Sequence, residues 1–380
     1  MNKNLSKGYS AIQLISIFFM LSILISCTAK PEISEKTEIK DQEIQKKATS
    51  YLDQISRFIS GMHQVDTGSI SRYEKSVSWQ KYATLSDSSW AKLNREKMNS
   101  MSDWAQHEII QKEEARETVF YPFSGPDILH AITLFPNAKN YILVGLEPIG
   151  SLPSENELKK DSLRGYFQGI ERSLRDVLNF SFFKTNNMAV DLKQRDLNGS
   201  LPILLIFLRR TGHEIIKLDS ITNFQSKGKR AIQGIQIVFQ KEGKEKSLYY
   251  FSADLTDFAI REQSGFLSFL ESFKRVSTFL KSASYLMYRP NFSFIKNLIL
   301  TKSDYILEDD SGISYADFKE NEWTLQVYGN YMVPIYLFTQ FYNLPLHEKF
   351  KKEARPLPFG IGYHWREKES NLIFAIKKQP

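Results

Sequence analysis

The chain is expected to fold as α/β: a helical lead-in, a small parallel strand–helix–strand core and added antiparallel strands. Three observations predict this. Apolar residues recur at three- and four-residue steps before residue 115. A β-branched and aromatic run at Thr118–Phe123, a short helix signal and a continuous apolar run at Tyr141–Leu146 then follow in the order of a right-handed parallel crossover. Beyond Gly212, short apolar stretches separated by turn residues point to antiparallel pairing. With 380 residues, 42% hydrophobic and 24% charged, the chain can bury a core, which excludes global disorder and collagen-like composition.

The elements can be taken in order. From Glu43, the residues Ile44, Ala48, Tyr51, Leu52, Ile55, Phe58, Ile59 and Met62 fall on one helical face. Trp90, Leu93, Met101 and Trp104 mark a second helix within residues 88–113. After Thr118–Phe123, Ser124-Gly125 is a turn and Pro126-Asp127 opens a short helix through Phe135, with Pro in the first turn, where its missing N–H costs nothing. Tyr141–Leu146 is a buried strand. Ser154-Glu155-Asn156-Glu157 has capping-box spacing, and Leu158, Leu163, Phe167, Ile170, Leu174, Val177 and Leu178 follow it on one face. Pro202–Arg210 is an apolar helix ended by Gly212, with Arg209 and Arg210 complementing its dipole. Residues 214–224, 232–240 and 247–256 are strands, the last two joined as a hairpin by Lys241-Glu242-Gly243-Lys244. Phe266, Leu267, Leu270, Phe273, Val276, Leu280 and Ala283 share helical spacing. Short strands near 304–308, 323–329, 358–365 and 371–378 with irregular links complete the chain. No linker divides residues 43–380, so one globular domain is expected, with 43–115 as its helical lead-in.

The first residues predict the compartment. Lys3 and Lys7 precede the apolar run Ala11–Ser26, and the chain's single cysteine, Cys27, stands directly behind it. This is the order of a secretory leader, and the run is shorter than the roughly 20 residues that span a bilayer. Leu24-Ile25-Ser26-Cys27 resembles the lipobox of bacterial lipoproteins. The resemblance implies cleavage of residues 1–26 and acylation of Cys27, including palmitate, so that lipid becomes the membrane partner. Thr28 in place of Asp implies the outer rather than the inner membrane. Residues 27–42, with Pro31 and alternating Glu and Lys, read as a tether. One cysteine excludes an internal disulfide and a cysteine zinc cluster, and a formal charge of +7 that is not gathered into one stripe argues against nucleic acid as a partner.

Two constellations could carry chemistry. In the first, Ser124, Gly125 and Asp127 follow one strand and Glu147 follows the next, so they are expected to converge at the carboxyl edge of the sheet, where open α/β sheets bind ligands. The order and spacing resemble the opening of Rossmann-like folds, nearest the S-adenosylmethionine methyltransferases, in which an acid ending the second strand holds a ribose. The segment departs from that pattern: Gly125 stands alone where two or three glycines are usual, and Pro126 removes a donor. Asp127 would repel a phosphate, so a hydroxyl-rich or cationic ligand suits the site better and no cofactor is expected. The bland account makes Ser124 and Asp127 helix caps and Glu147 a solvated strand end.

The second constellation is Glu308-Asp309-Asp310-Ser311-Gly312. Adjacent carboxylates can share a proton or chelate a hard cation. EF-hand spacing is absent, and the bland account is a solvent-facing acidic turn with Gly312 left-handed. His107-Glu108, His213-Glu214 and His347-Glu348 begin like zinc-protease motifs, but Gln111, Lys217 and Lys351 stand where the second histidine belongs, so no metal site is expected. Trp323, Tyr328, Tyr331, Tyr336 and Tyr342 crowd one segment and could stack on glycan rings or simply fill the core. The segments Phe120–Asp127, Gly145–Pro148 and Asp309–Ile313 together resemble a group of bacterial envelope proteins, a resemblance that implies no activity.

The leading expectation is a lipid-anchored envelope protein that binds a hydroxyl-rich or polymeric ligand near Ser124, Asp127 and Glu147, or assists envelope assembly. An envelope hydrolase pairing Asp127 or Glu147 with Asp309 or Asp310 is the second class. A degenerate methyltransferase-like fold is the third, and it requires the parallel sheet to continue past residue 200.

Overall fold

The computed structural model describes residues 50–378 apart from residues 67, 111–116, 160–162, 181–198 and 223–231. The leader, Cys27, the tether and the first turns of the helix expected from Glu43 lie outside the described residues. Residues 48–380 form one compact unit.

The architecture is α/β, with N-terminal helices and one mixed sheet. Helix α1 (Tyr51–Ile59) starts where the Ser50 side chain accepts the Asp53 N–H, and it buries Ile55, Phe58 and Ile59 at helical spacing. Its Asp53 carboxylate pairs with buried Arg209 at 2.6 Å and accepts the Ile215 N–H at 2.9 Å. Asp53 therefore joins three elements through Arg209 and Ile215, and Arg209 is a buried ion-pair partner where sequence reading gave it only a dipole role. The second helix starts earlier than expected: α2 (Val77–Leu93) and α3 (Asn99–Ala105) are joined by one π turn at Asn94–Met98 and followed by another at Gln106–Ile110. The stretch from Ser86 to Ser89 dilutes its apolar stripe, which hides the first turns from a periodicity reading.

Strands β1 (Thr118–Tyr121) and β2 (Asn140–Gly145) pair in parallel around helix α4 (Ile128–Leu134), as the sequence predicts. The Ser154 capping box is present and opens α5 (Glu155–Leu158), after which come α6 (Leu163–Phe180) and the apolar α7 (Leu201–Arg210). Strand β4 (Gln233–Lys241) pairs antiparallel with β3 (Glu214–Ile221) on one side and with β5 (Lys244–Ser252) on the other.

The segment expected as one helix over 266–283 divides. Helices α8 (Asp257–Ile260) and α9 (Ser264–Ser272) end before β6 (Val276–Leu280), a strand buried at every position. Such a strand shows no alternation, and Phe273, Val276 and Leu280 mimic helical steps by coincidence. Helix α10 (Ser293–Lys302), β7 (Ser303–Glu308), β8 (Trp323–Gly329), helix α11 (Leu344–Glu353) and β9 (Asn371–Lys377) follow. One of the expected irregular links, between β8 and residue 358, thus holds a helix, α11. Residues 358–365 are not a strand: a Cβ on Gly360 would meet the Trp365 carbonyl at 1.7 Å, so the chain doubles back there.

Among the described residues nine strands form one sheet, in the order β3-β4-β5-β2-β1-β6-β7-β9-β8. The run β5-β2-β1-β6-β7 is parallel, and antiparallel strands extend both edges. Alternate strand residues feed opposite faces. Val119, Tyr121, Tyr141, Leu143 and Phe279 join the core under α1–α7, whereas Phe120, Ile142, Val144 and Leu280 join the core under α8–α10. Both faces are therefore covered, as a parallel sheet requires.

Candidate functional site

The chain reverses outward after β1 and after β6, neighbouring strands whose crossovers leave to opposite sides, and this is the position where doubly wound sheets open a crevice. Here the crevice holds the chain's own charges. Asp127 caps α4, accepting the His130 N–H at 3.3 Å on Oδ1, with His130 Nδ1 at 2.7 Å from the same oxygen. Its Oδ2 accepts the Tyr121 hydroxyl at 3.0 Å and pairs with Lys281 Nζ at 2.5 Å. Lys281, directly after β6, and Asp127 are both buried. Burial alone would raise the Asp127 pKa, but His130 and Lys281 reverse this and hold it at about 2. Burial, helped by Lys281, pushes His130 down to about 4 against the pull of Asp127. The 2.7 Å contact then assigns the imidazole proton to Nδ1, facing the carboxylate. His130 Nε2 has no partner among the described residues.

Ser124 ties this loop to β2. Its N–H donates to the Val144 carbonyl at 2.9 Å, and its hydroxyl donates to the carbonyls of Gly125 and Val144 at 2.8 and 3.2 Å. The loop needs left-handed backbone at Phe123 and at Gly125. Glu147 turns inward beneath it. A Cβ on Gly145 would stand 2.6 Å from Glu147 Oε2 and 2.8 Å from both the Gly125 Cα and the Tyr250 hydroxyl, so glycine is what admits the carboxyl group. Burial raises the Glu147 pKa, opposed by backbone donors at Leu146 and Glu147 and by Tyr250, and its Oε2 has no partner among the described residues. The solvated strand end is thus corrected to a buried acid.

The acidic run after β7 is also buried, not solvent-facing: Glu308, Asp309 and Asp310 are all 5% exposed or less. Asp309 accepts the Ser282 N–H at 2.8 Å on Oδ2, and the Ser311 N–H at 3.0 Å together with the Ser311 hydroxyl on Oδ1. Asp310 accepts the Tyr285 hydroxyl on one oxygen and the Asn371 amide at 3.0 Å on the other. Glu308 accepts the Ile313 N–H at 2.9 Å, and a Cβ on Gly312 would clash with it at 2.3 Å. Close approach, not a left-handed φ, is what glycine supplies at Gly312. Burial and mutual repulsion raise Asp309 to about 6 and lift Glu308 well above the carboxyl range. Burial also raises Asp310, against its bonds to Tyr285 and Asn371. Protons and neutral donors thus relieve the repulsion. Ser282, Ser284 and Tyr285 all have left-handed backbone, held by these bonds.

All five acids and hydroxyls singled out from the sequence therefore lie at one sheet edge, and all are buried. Lys281 and Ser282 join the two clusters, one contacting Asp127 and the other Asp309, and Tyr121 feels the charge of both acids. Glu147 stands on the far side of the β1 loop. Sequence reasoning missed Lys281 because residues 266–283 carried helical spacing.

At Leu146 and Pro148 the edge opens into a cleft of about 1360 Å³, which the buried Glu147 between them does not line. Leu146, Gly150, Ser252, Asp254 and Phe258 line it, with Ser220 from β3, Thr222 just after it and Gln233 from β4. Leu146 and Phe258 are 67% and 72% exposed. Among the described residues, no group of three or more His, Cys, Asp or Glu could hold a metal ion, and no helix is long and apolar enough to cross a membrane. Comparison with family models, with curated proteins and with solved structures returns no match to this chain.

Proposed function

We propose that this protein is a lipid-anchored envelope protein that binds a neutral, hydroxyl-rich ligand in the cleft at Leu146 and Pro148. The lining of that cleft carries the reading. No lysine or arginine is among its described lining residues, whereas Ser220, Thr222, Gln233 and Ser252 offer neutral hydrogen-bonding groups. Among these residues Asp254 would repel a phosphate. Exposed Phe258 presents a flat ring of the kind that packs against the C–H face of a sugar. Ser124 and Asp127 take positioning roles, since their oxygens are engaged inside the protein.

The test is calorimetric titration with oligosaccharides and peptidoglycan fragments. Phe258→Ala is expected to weaken binding about tenfold at unchanged melting temperature. Absence of any binding tighter than millimolar, or equal affinity for the variant, would end the reading. The anchor is tested separately, by loss of palmitate incorporation in Cys27→Ser.

One observation favours the hydrolase alternative. Asp127, at about 2, and Asp309, at about 6, flank Tyr121 with their ionisation pushed apart, the pattern of an acid and a base. Their burial and full sets of partners favour a structural role. The parallel run β5-β2-β1-β6-β7 supports a doubly wound, methyltransferase-like ancestry, because it continues past residue 200. Lys281 and Asp127 occupy the crevice such an enzyme would need, which is why we read the fold as a binding scaffold.

A further inference from the structure

We propose that a second cleft, at the β4–β5 hairpin, binds a soluble anion carrying two or more phosphate groups. This goes beyond the first cleft and does not depend on its ligand. The first cleft lies at Ser252 and this one at Lys244, the two ends of β5, roughly 25–30 Å apart. Its volume is about 770 Å³, within the range of small-molecule pockets. Asn99, Ser102 and Asn137 offer neutral hydrogen-bonding groups along it, and Lys241, Lys244 and Lys246 supply charge.

Strand alternation gathers the three lysines. Phe239 and Leu248 point into the core under α1–α7, so Lys241 on β4 and Lys244 and Lys246 on β5 fall on that same face. Lys241 stands directly opposite Lys244 across the hairpin, an arrangement in which like charges repel. Glu214, Gln240 and Glu245 fall on the other face, where Gln240 Nε2 donates to Glu214 at 2.8 Å. Carboxylates near the cleft leave the three lysines uncompensated. Glu117 pairs with Lys139 and Asp87 with Arg210, whereas Glu242 and Glu245, which also line the cleft, make no ion pair with Lys241, Lys244 or Lys246 among the described residues.

Main-chain carbonyls hold the ammonium groups instead. Lys246 Nζ donates to the Pro136 and Ala138 carbonyls, each at 2.6 Å, and Lys241 Nζ donates to the Thr211 carbonyl at 3.2 Å. An ammonium carries three protons, so one on Lys246 and two on Lys241 stay available to a ligand. Two lining groups feel the positive field. Burial and then Lys244 lower Lys246 to about 8 with no carboxylate opposing them, and burial, Lys241 and Lys246 lower His213 to about 4. The charge selects phosphate. Arg210 has its guanidinium engaged by Ser60, Gly61, Ser86 and Asp87, so no planar fork is left for a carboxylate. Lysines act as point charges, which suits phosphate, and three of them exceed the charge of about −2 that a single phosphate group carries.

The assay is calorimetric titration with sodium tripolyphosphate at pH 7 and low salt, with citrate as the carboxylate comparison. Wild type is expected to bind tripolyphosphate in the micromolar range and citrate at least tenfold more weakly. Lys241→Gln combined with Lys244→Gln should weaken tripolyphosphate binding about tenfold. The melting temperature of that variant without ligand should stay level or rise, because the cross-strand repulsion is gone. Lys319→Gln combined with Lys378→Gln removes the same charge beside β8 and β9 and should leave the affinity unchanged. Wild-type binding weaker than millimolar would overturn the proposal, as would unaltered affinity in the hairpin variant or an equal loss in the control pair. Citrate bound as tightly as tripolyphosphate would overturn the assignment to phosphate.

Discussion

Replacing Lys281 with methionine should expose how much of the fold depends on the buried pair at the switch point. The substitution keeps most of the side-chain volume and removes the ammonium that sits 2.5 Å from Asp127. Asp127 keeps the Tyr121 hydroxyl and the two His130 donors, so its carboxylate stays hydrogen-bonded but loses its counter-charge. Removing one partner of a buried pair costs about 3–5 kcal/mol, and the remaining donors favour the lower end, about 3 kcal/mol. The assay is urea denaturation at pH 7, with Asp127→Asn and the double variant completing a thermodynamic cycle. The double variant should be less destabilised than the two single losses combined, because each single change strands the other group. The wild-type pair also has a pH signature. A carboxyl held at about 2 against an ordinary 3.8 contributes roughly 2 kcal/mol above pH 4, lost as pH falls through 2. A loss below 1 kcal/mol for Lys281→Met, with no coupling in the cycle, would refute the assignment of this pair as the lock between β1 and β6.

Three further outcomes follow from the same edge. Asp309, raised from 3.8 to about 6, stabilises the fold below pH 3.8, a contribution lost as pH rises through 6, so Asp309→Asn should change stability relative to wild type by about 2–3 kcal/mol between pH 4 and 6; parallel urea midpoints across that range would contradict this. Burial raises the Glu308 pKa and so favours its protonated form, which Gln imitates; Glu308→Gln should cost less than about 1 kcal/mol in thermal unfolding, and a larger loss would mean the group is ionised. Gly145→Ala should destabilise by about 1–3 kcal/mol through overlap with Glu147 and Tyr250, and Glu147→Gly in the same chain should recover part of that loss; no recovery would place the crowding elsewhere.

The parts of the fold that were legible in the sequence are those whose causes are local. Ser124-Gly125-Pro126-Asp127 carries its own turn and cap, Ser154 and Glu157 form their box within one turn, and Lys241–Lys244 closes a hairpin between β4 and β5. What stayed hidden depends on distant partners. Asp127 is completed by Lys281, and Asp310 by Asn371, pairs that no local pattern links. The central strand β6 hid for a related reason: buried on both faces, it lacks the alternation that marks a strand. Three consecutive acids after an apolar strand did announce an unusual environment, but their neighbours alone could not show whether solvent, a cation or protons would relieve them.

The register between β1 and β6 also shapes how the molecule reaches its final form. Val119 aligns with Ser277 and Phe120 with Thr278, so the middle of the sheet cannot close until the last third of the polypeptide has arrived. Pairings this far apart along the chain make assembly slow, and the half-built sheet meanwhile offers bare strand edges to its surroundings. A chaperone that shields those edges would raise the yield of refolding far more than it would alter the final stability.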